Sequence, residues 1–588
     1  MPAPGGTISE RVVASRMFLL HACERNCELC VCLCVNRFVT DIGRSDARKQ
    51  SKPTQYCTHR VMAPRSTLIL SVALLLGVSA TPEFDAYIEK KEAVFSWVDT
   101  QQRVQPELST ATAHVLNVTS LEWLDVSRAY GPTGSVWTHQ VAVVVPKVVT
   151  EKSFAVSVMT GGCNENPGPV PEDEEYLIVA GDLAMRTGAI AVVIYQIPNC
   201  HIVYPSDPDK KRRSEDAMIA WAWRQYLDDP HHDPEWLPRF PMAKAGFQCM
   251  RAAAEYVEKA GLAKIDSWFV SGASKRGWTT WMVGAADCKS CVRIRGIAPL
   301  VPIVPNLMPD VHQQFRSYGG FTFAFRDYMD AGIVARLDTP AAQLLVSHVD
   351  PASYMDRLSR PNLTKVAVLS SNDEFMQMDW TGTWPRWGGE SHVLIVPNSE
   401  HSLATGIPEV LSTLAATFSS VAAGADAAHR LSITSSRNAT TGELTVTIDD
   451  GPSRPKLTKV VLRHAQTLQA ARRDFRWVRL ADPAMPSSKC SLPGIPIPPV
   501  EGGGNCLQPM LWHSVELKPV AGRPNVYKAT PPAPTKAGHW VGYYIEALAQ
   551  SPQLPLSQFQ YSTPGYVWPD TFPHADCPDF AKCNVTLV

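Results

Sequence analysis

The stretch SWFVSGASKRGWTTW, Ser267 to Trp281, sets Ser274 at a turn between an apolar run and a helical pattern. Gly272 lies two residues before the serine, Arg276 stands where the G-x-S-x-G nucleophile elbow has its second glycine, and Gly277 follows one residue late. A strand that ends abruptly at a helix start would project the hydroxyl above a sheet, where it could attack a carbonyl carbon. The plainer reading is a serine that caps a helix. A serine nucleophile needs a base and an orienting acid. Downstream, KVAVLSS is followed by NDEF, which carries Asp373, and HVLIVP is followed by NSEHSL, which carries His401. The order Ser274, Asp373, His401, with each residue just past a strand candidate, fits a hydrolase triad. Taken singly, Asp373 is a turn former and His401 a surface histidine. Glu374 is the alternative acid, and His392 an alternative base that begins its strand. An oxyanion hole needs two backbone N–H donors. Lys275 would supply one and the Gly161–Gly162 pair of VSVMTGGCNENPGP the other, unless those glycines form only a tight turn.

The elements that must position these groups follow from the pattern between Trp137 and Gly424. Short β-rich runs at Trp137–Val145, Ser153–Thr160, Ala189–Tyr195, Ser267–Val270, Gly296–Leu300, Val366–Leu369 and Val393–Val396 include continuous apolar stretches, as in strands covered on both faces. Helical patterns at Glu174–Arg186, Ser214–Leu227, Met242–Lys259 and Lys275–Ala286 separate several of them. This alternation predicts an α/β-hydrolase-like, doubly wound, mostly parallel sheet over 81–425. From about residue 430 the texture changes to alternating runs and turns, which predicts a smaller all-β, sandwich-like domain over 430–575 and a tail over 576–588.

The 588 residues are 45% hydrophobic and carry a formal net charge of −1, which allows two domains and gives a nucleic-acid partner no electrostatic support. MAPRSTLILSVALLLGVSA, residues 62–80, has the basic start, apolar centre and small-residue end of a secretory signal peptide, with cleavage after Ala80. Its apolar run is shorter than a spanning helix needs, so no membrane span is expected in the mature chain. Residues 1–61 then precede the signal, as a start-site artefact or a leader removed with it. They hold Cys23, Cys27, Cys30, Cys32 and Cys34, a cluster without the paired C-x-x-C arms of a zinc module. No metal or cofactor is expected. A secreted chain should oxidise most of the nine cysteines beyond Ala80. Sequence neighbours suggest Cys288–Cys291, Cys490–Cys506 and Cys577–Cys583, and the odd count leaves at least one thiol free. Asn117, Asn362, Asn438 and Asn584 stand in N-x-[ST] sequons.

Two weaker features complete the reading. Glu172–Glu175 could hold a substrate amino group, although a charge run before a helix is usually a solvated N-terminus. Trp221, Trp223, Trp278 and Trp281 could line a cleft, although such aromatics are more often core.

VSGASKRGWTTW, MTGGCNEN, RRSEDAMIAWAW with LPRFPMAKA, NDEF and VPNSEHSL together resemble the PhoPQ-activated pathogenicity-related family, which includes a secreted autocrine proliferation repressor. The resemblance covers roughly residues 82–570, extending weakly to RRDFRWVRL, and it makes Arg276 a family feature. It implies a sheet similar to that of prolyl-oligopeptidase-type peptidases and the triad Ser274, Asp373 and His401. The expected function is a secreted serine hydrolase acting on a peptide. Esterase action on an ester is one alternative, and a signalling or binding protein that docks a cell-surface receptor is the other.

Overall fold

The computed structural model describes residues 82–302, 305–379, 388–449, 451–480 and 505–588. The signal segment, the leader cysteines and Cys490, and with it the expected Cys490–Cys506 bond, lie outside the described residues. The main sheet has nine strands: β1 (Ser96–Val104), β2 (Thr112–Glu122), β3 (Val136–Val145), β4 (Phe154–Met159), β5 (Ile190–Ile194), β6 (Ser267–Ala273), β7 (Arg293–Leu300), β8 (Thr364–Ser370) and β9 (Ser391–Val396), in the spatial order 1-2-3-5-4-6-7-8-9. β1, β2 and β3 run antiparallel to their neighbours, and the six strands from β5 to β9 are parallel. The expected α/β-hydrolase-like sheet is therefore present, with an antiparallel edge.

The longer helices are α1 (Pro82–Glu89), α2 (Glu175–Thr187), α3 (Glu215–Asp228), α4 (Arg239–Lys259), α5 (Lys275–Ala285), α6 (Met308–Tyr318), α7 (Pro340–Val349) and α8 (Ile407–Ala422). Strand side chains alternate between faces, so neighbouring residues of β4 feed different cores. Ala155 and Met159 pack with Met242 of α4 and with Trp278, Trp281 and Met282 of α5. Phe154, Val156 and Val158 pack with Leu183 of α2 and with Leu414, Ala415 and Phe418 of α8. Both faces are thus apolar, which is why these strands read as continuous runs. The helix after β4 covers one face and the helix after the adjacent β6 covers the other. That arrangement is a topological switch point, and it opens a crevice at the carboxyl ends of β4 and β6.

Beyond α8 the strands are antiparallel. β10 (Ile433–Arg437), β11 (Leu444–Ile448), β12 (Leu457–Gln466), β13 (Val478–Leu480), β14 (Asn505–Leu507), β15 (His513–Glu516), β16 (Val526–Ala529), β17 (Val541–Gln550), β18 (Gln558–Ser562) and β19 (Tyr566–Trp568) form small sheets. They cap the open edge of the main sheet, where Ser562 Oγ accepts from Ile395 N (3.1 Å) and Tyr544 OH donates to Ile395 O (3.2 Å). An edge strand left uncovered would present unpaired backbone groups. The last residues also pack, since Phe321 N donates to Thr586 O and Val588 N to Phe321 O. Among the described residues, no helix is long and apolar enough to cross a membrane.

Candidate active site

Ser274 joins β6 to α5 with φ 59° and ψ −124°, and its side chain makes no N-cap hydrogen bond to the helix. A serine at positive φ is strained, so the surrounding structure must hold it there. Its N–H donates to Leu300 O of β7 (2.9 Å), and its carbonyl accepts from Trp278 N (3.0 Å). Gly277 lets α5 start against the sheet, because a Cβ there would lie 2.7 Å from Leu300 O. The late glycine thus supplies the close approach that the sequence left in question at Arg276.

Arg276 and Lys275, which a helix would normally turn to solvent, are buried and ion-paired. Lys275 Nζ lies 2.6 Å from Glu215 Oε2 and 2.9 Å from Asp216 Oδ2. Arg276 pairs with Glu215 Oε1 and donates from Nε to Ile197 O. Tyr328 OH donates to Asp216 Oδ1 (2.7 Å). Burial raises the pKa of both carboxyls, but Glu215 faces two cations, Arg276 and Lys275, and is held at about 2. Asp216 has less compensation and is raised to about 6. Charges of this kind stay buried only when paired and hydrogen-bonded.

The same arginine supports the Gly161–Gly162 loop that follows β4. A Cβ on Gly161 would stand 2.5 Å from an Arg276 guanidinium nitrogen, so the loop can lie on that group only with glycine there. The carbonyls of Thr160 and Gly161 accept from Ile197 N (3.0 Å) and Gln196 N (2.8 Å). Gly162 takes φ 95°, and the next residue, Cys163, is bonded to Cys200. That disulfide, which the sequence reading did not pair, fastens the loop to the segment after β5.

The acid and base candidates meet as expected. His401 Nδ1 lies 2.9 Å from Asp373 Oδ1 and 2.8 Å from Oδ2, and both residues are buried. Asp373 Oδ1 also accepts from Phe375 N (2.8 Å) and Met376 N (3.0 Å), which fixes the carboxylate. A carboxylate facing Nδ1 selects the tautomer with its proton there and leaves Nε2 as the basic atom. Nε2 is buried and makes no hydrogen bond among the described residues, so the link to Ser274 Oγ is not closed in this state. Such contacts often tighten only with substrate bound. Glu374 does not reach the imidazole. It accepts from His401 N (2.8 Å), and burial, Asp373 and Glu400 push its pKa well up. His392 is engaged elsewhere, with Glu390 (2.8 Å) and stacked on Tyr561.

Four supports of this pair come from residues that the sequence reading did not single out. Asn372 Nδ2 donates to Phe475 O (3.0 Å), and Trp477 N donates to Asn372 O (3.0 Å). Asn398 Oδ1 accepts from Trp512 N (2.7 Å) while its Nδ2 donates to Trp512 O (3.1 Å). RRDFRWVRL was the available signal, because a segment resembling the family outside the sheet needs a partner within it.

The weaker features resolve structurally. Glu174 caps α2, accepting from Leu177 N (2.7 Å) and Tyr195 OH (2.6 Å). Glu175 lines an apolar cavity of about 90 Å³ between α2, α8 and the sheet, and burial raises it to about 7. Trp223, Trp278 and Trp281 are core, and Trp221 lies under Arg213 and Arg224. Asn117, Asn362, Asn438 and Asn584 are exposed. Among the described residues, no group of three or more His, Cys, Asp and Glu side chains is arranged to hold a metal ion.

Strand order, the strained turn after β6 and the loops after β4, β8 and β9 define an α/β-hydrolase-like protein. Residues 84–476 match the PhoPQ-activated pathogenicity-related protein family, and the chain belongs to that family. It is 30% identical over 529 residues to autocrine proliferation repressor protein A of Dictyostelium discoideum, covering 88% of this chain and 96% of that protein. Among solved structures, it is similar to acetyl xylan esterase 1 of Thermoanaerobacterium at 13% identity, with 58% of this chain and 95% of that one covered and a TM-score of 0.36. The acylaminoacyl peptidase of Pyrococcus horikoshii gives 12% identity, 53% and 41% coverage and a TM-score of 0.32.

Proposed function

We propose that the protein is a secreted serine hydrolase, with Ser274 as nucleophile, His401 as general base and Asp373 as the group that orients the imidazole. Lys275 N–H and an N–H of the Gly161–Gly162 loop receive the oxyanion. The observation that carries this reading is the pairing of a strained serine turn with a buried Asp373–His401 dyad whose Nε2 is unengaged. His401 takes the hydroxyl proton as Ser274 attacks a carbonyl and returns it to the leaving group, giving an acyl-enzyme that water then opens. The favoured substrate is a short peptide, in keeping with the prolyl-oligopeptidase-type resemblance. A panel of peptide and ester substrates tests both choices, with Ser274→Ala and His401→Ala expected to lose about 10⁴-fold or more in kcat. A hydrolysed ester set with untouched peptides overturns the peptidase assignment alone.

Secretion is supported by three disulfides, Cys163–Cys200, Cys288–Cys291 and Cys577–Cys583, which suit an oxidising compartment. An N-terminus beginning at Thr81 in secreted material is the expected result. The exposed sequon asparagines are glycosylated in this reading, and loss of mass on endoglycosidase treatment checks it.

The name of the Dictyostelium relative favours a second role, signalling through a receptor. Ser274→Ala separates the two, since a pure signal keeps its effect on proliferation without the hydroxyl.

A further inference from the structure

At the opposite end of the sheet, where β7 begins, the Cys288–Cys291 disulfide lines a cleft of about 500 Å³. Both cysteines are half-buried. The cleft also takes Lys289, Arg293, Arg357 and Arg360, against a single acidic side chain, Asp287. Arg357 is neutralised by Asp85, with bonds of 2.7 and 2.6 Å. Arg360 donates to Gly284 O (2.6 Å), and Lys289, Arg293 and Arg360 form no ion pair with a described residue. The cleft therefore carries a net positive field and has the volume of a small-ligand site.

The disulfide spans three positions in sequence, fewer than the other two described, so it removes the least chain entropy of the three from the unfolded state. Its loop is already fastened to α1, because Asp287 N donates to Asp85 Oδ1 (3.2 Å) and Lys289 N to Glu89 Oε1 (3.0 Å). Nearby cations favour a thiolate, both as attacking group and as leaving group.

We propose that Cys288–Cys291 is a thiol–disulfide exchange site whose cleft takes a small thiol bearing carboxylates. The incoming thiolate attacks one sulfur of the pair, a mixed disulfide forms, the Cys288–Cys291 bond breaks, and the other cysteine leaves as a thiolate that is protonated from water. A second thiol attacks the small-molecule sulfur of the mixed disulfide. The products are an oxidised small disulfide and a reduced Cys288/Cys291 pair, with two electrons passed to the protein. This step uses none of the groups at the carboxyl ends of the strands and stands apart from the hydrolase reading.

The test uses the full-length secreted protein, with Asn362→Gln run beside it because Asn362 lines the cleft and stands in a sequon. Graded reduced glutathione, an anionic thiol, is compared with cysteamine, a cationic one, followed by alkylation and peptide mapping. Cys249 is buried and stays silent. The expected result is that Cys288–Cys291 opens before Cys163–Cys200 and Cys577–Cys583. Glutathione should exceed cysteamine by about tenfold more than it does with the free CKSC disulfide peptide. Arg293→Glu and Lys289→Glu, both at exposed positions, should each lower that preference, and Cys291→Ser should retain glutathione on Cys288. Opening no earlier than Cys577–Cys583, or a glutathione preference equal to the peptide's, overturns the proposal.

Discussion

At the nucleophile end of the candidate site, Ser274 and the Gly161–Gly162 loop are held by a strained turn and by ion pairs buried within the sheet region. At the acid–base end, Asp373 and His401 sit in loops tied to the C-terminal β region by hydrogen bonds through Asn372 and Asn398 and by the buried Arg473–Asp379 ion pair. The first end is built within the main α/β region, since Glu215 begins α3 and Lys275 and Arg276 begin α5. The second depends on residues more than a hundred positions downstream, such as Phe475 and Trp512. In this arrangement the added β region holds the loops that carry Asp373 and His401 from outside the main sheet.

The largest expected effect is at the ion-paired end. Glu215→Ala leaves Arg276 and Lys275 short of a buried partner, and a loss of about 3–5 kcal/mol in denaturant unfolding is expected. Glu215→Gln should change the acid limb of stability. The folded pKa of Glu215, about 2, lies below its ordinary 4.5, so its contribution is full above pH 4.5 and is lost as the pH falls toward 2. That loss is absent in the variant. Asp216 acts with the opposite sign, because its raised value makes stability fall as the pH rises from about 3.8 to about 6, and the variant keeps that term. Equal pH profiles in both proteins would remove Glu215 from the groups that hold the Ser274 end.

Replacing Cys163 and Cys200 by serine should cost up to about 4 kcal/mol by loop-closure entropy, against about 2 kcal/mol for Cys288 and Cys291. Thermal unfolding of the two double variants ranks them. Asn398→Ala, which removes the two bonds to Trp512, should cost about 1–3 kcal/mol and loosen the His401 loop while leaving the Ser274 turn unchanged. Hydrogen exchange over 398–403 and 272–277 checks that separation, and equal loss in both stretches would merge the two ends into one unit.

The strands that bear the site were legible because burial on both faces makes them continuous apolar runs, and Ser274, Asp373 and His401 were legible because each follows such a run. β1 and β2 were not read as strands, because the buried positions of β2, such as Ala113, Val115, Leu116 and Val118, form neither a continuous apolar run nor an unbroken alternation. Helix α8 was also missed, lying between His401 and the change of texture. The buried network was invisible for another reason. Lys275, Arg276 and Glu215 carry the signature of solvated helix faces, and no spacing rule brings together charges 60 or so positions apart. Cys163–Cys200 escaped because pairing by sequence proximity favours short loops, while the fold joins the ends of β4 and β5.

The proposed chemistry requires Ser274 to be an activated nucleophile. Fluorophosphonate labelling of the folded, secreted protein followed by peptide mapping tests it most directly. One adduct is expected, on Ser274, lost in His401→Ala and in Ser274→Ala. Labelling elsewhere, or none in protein whose Asp373–His401 loop is protected from exchange, would contradict it.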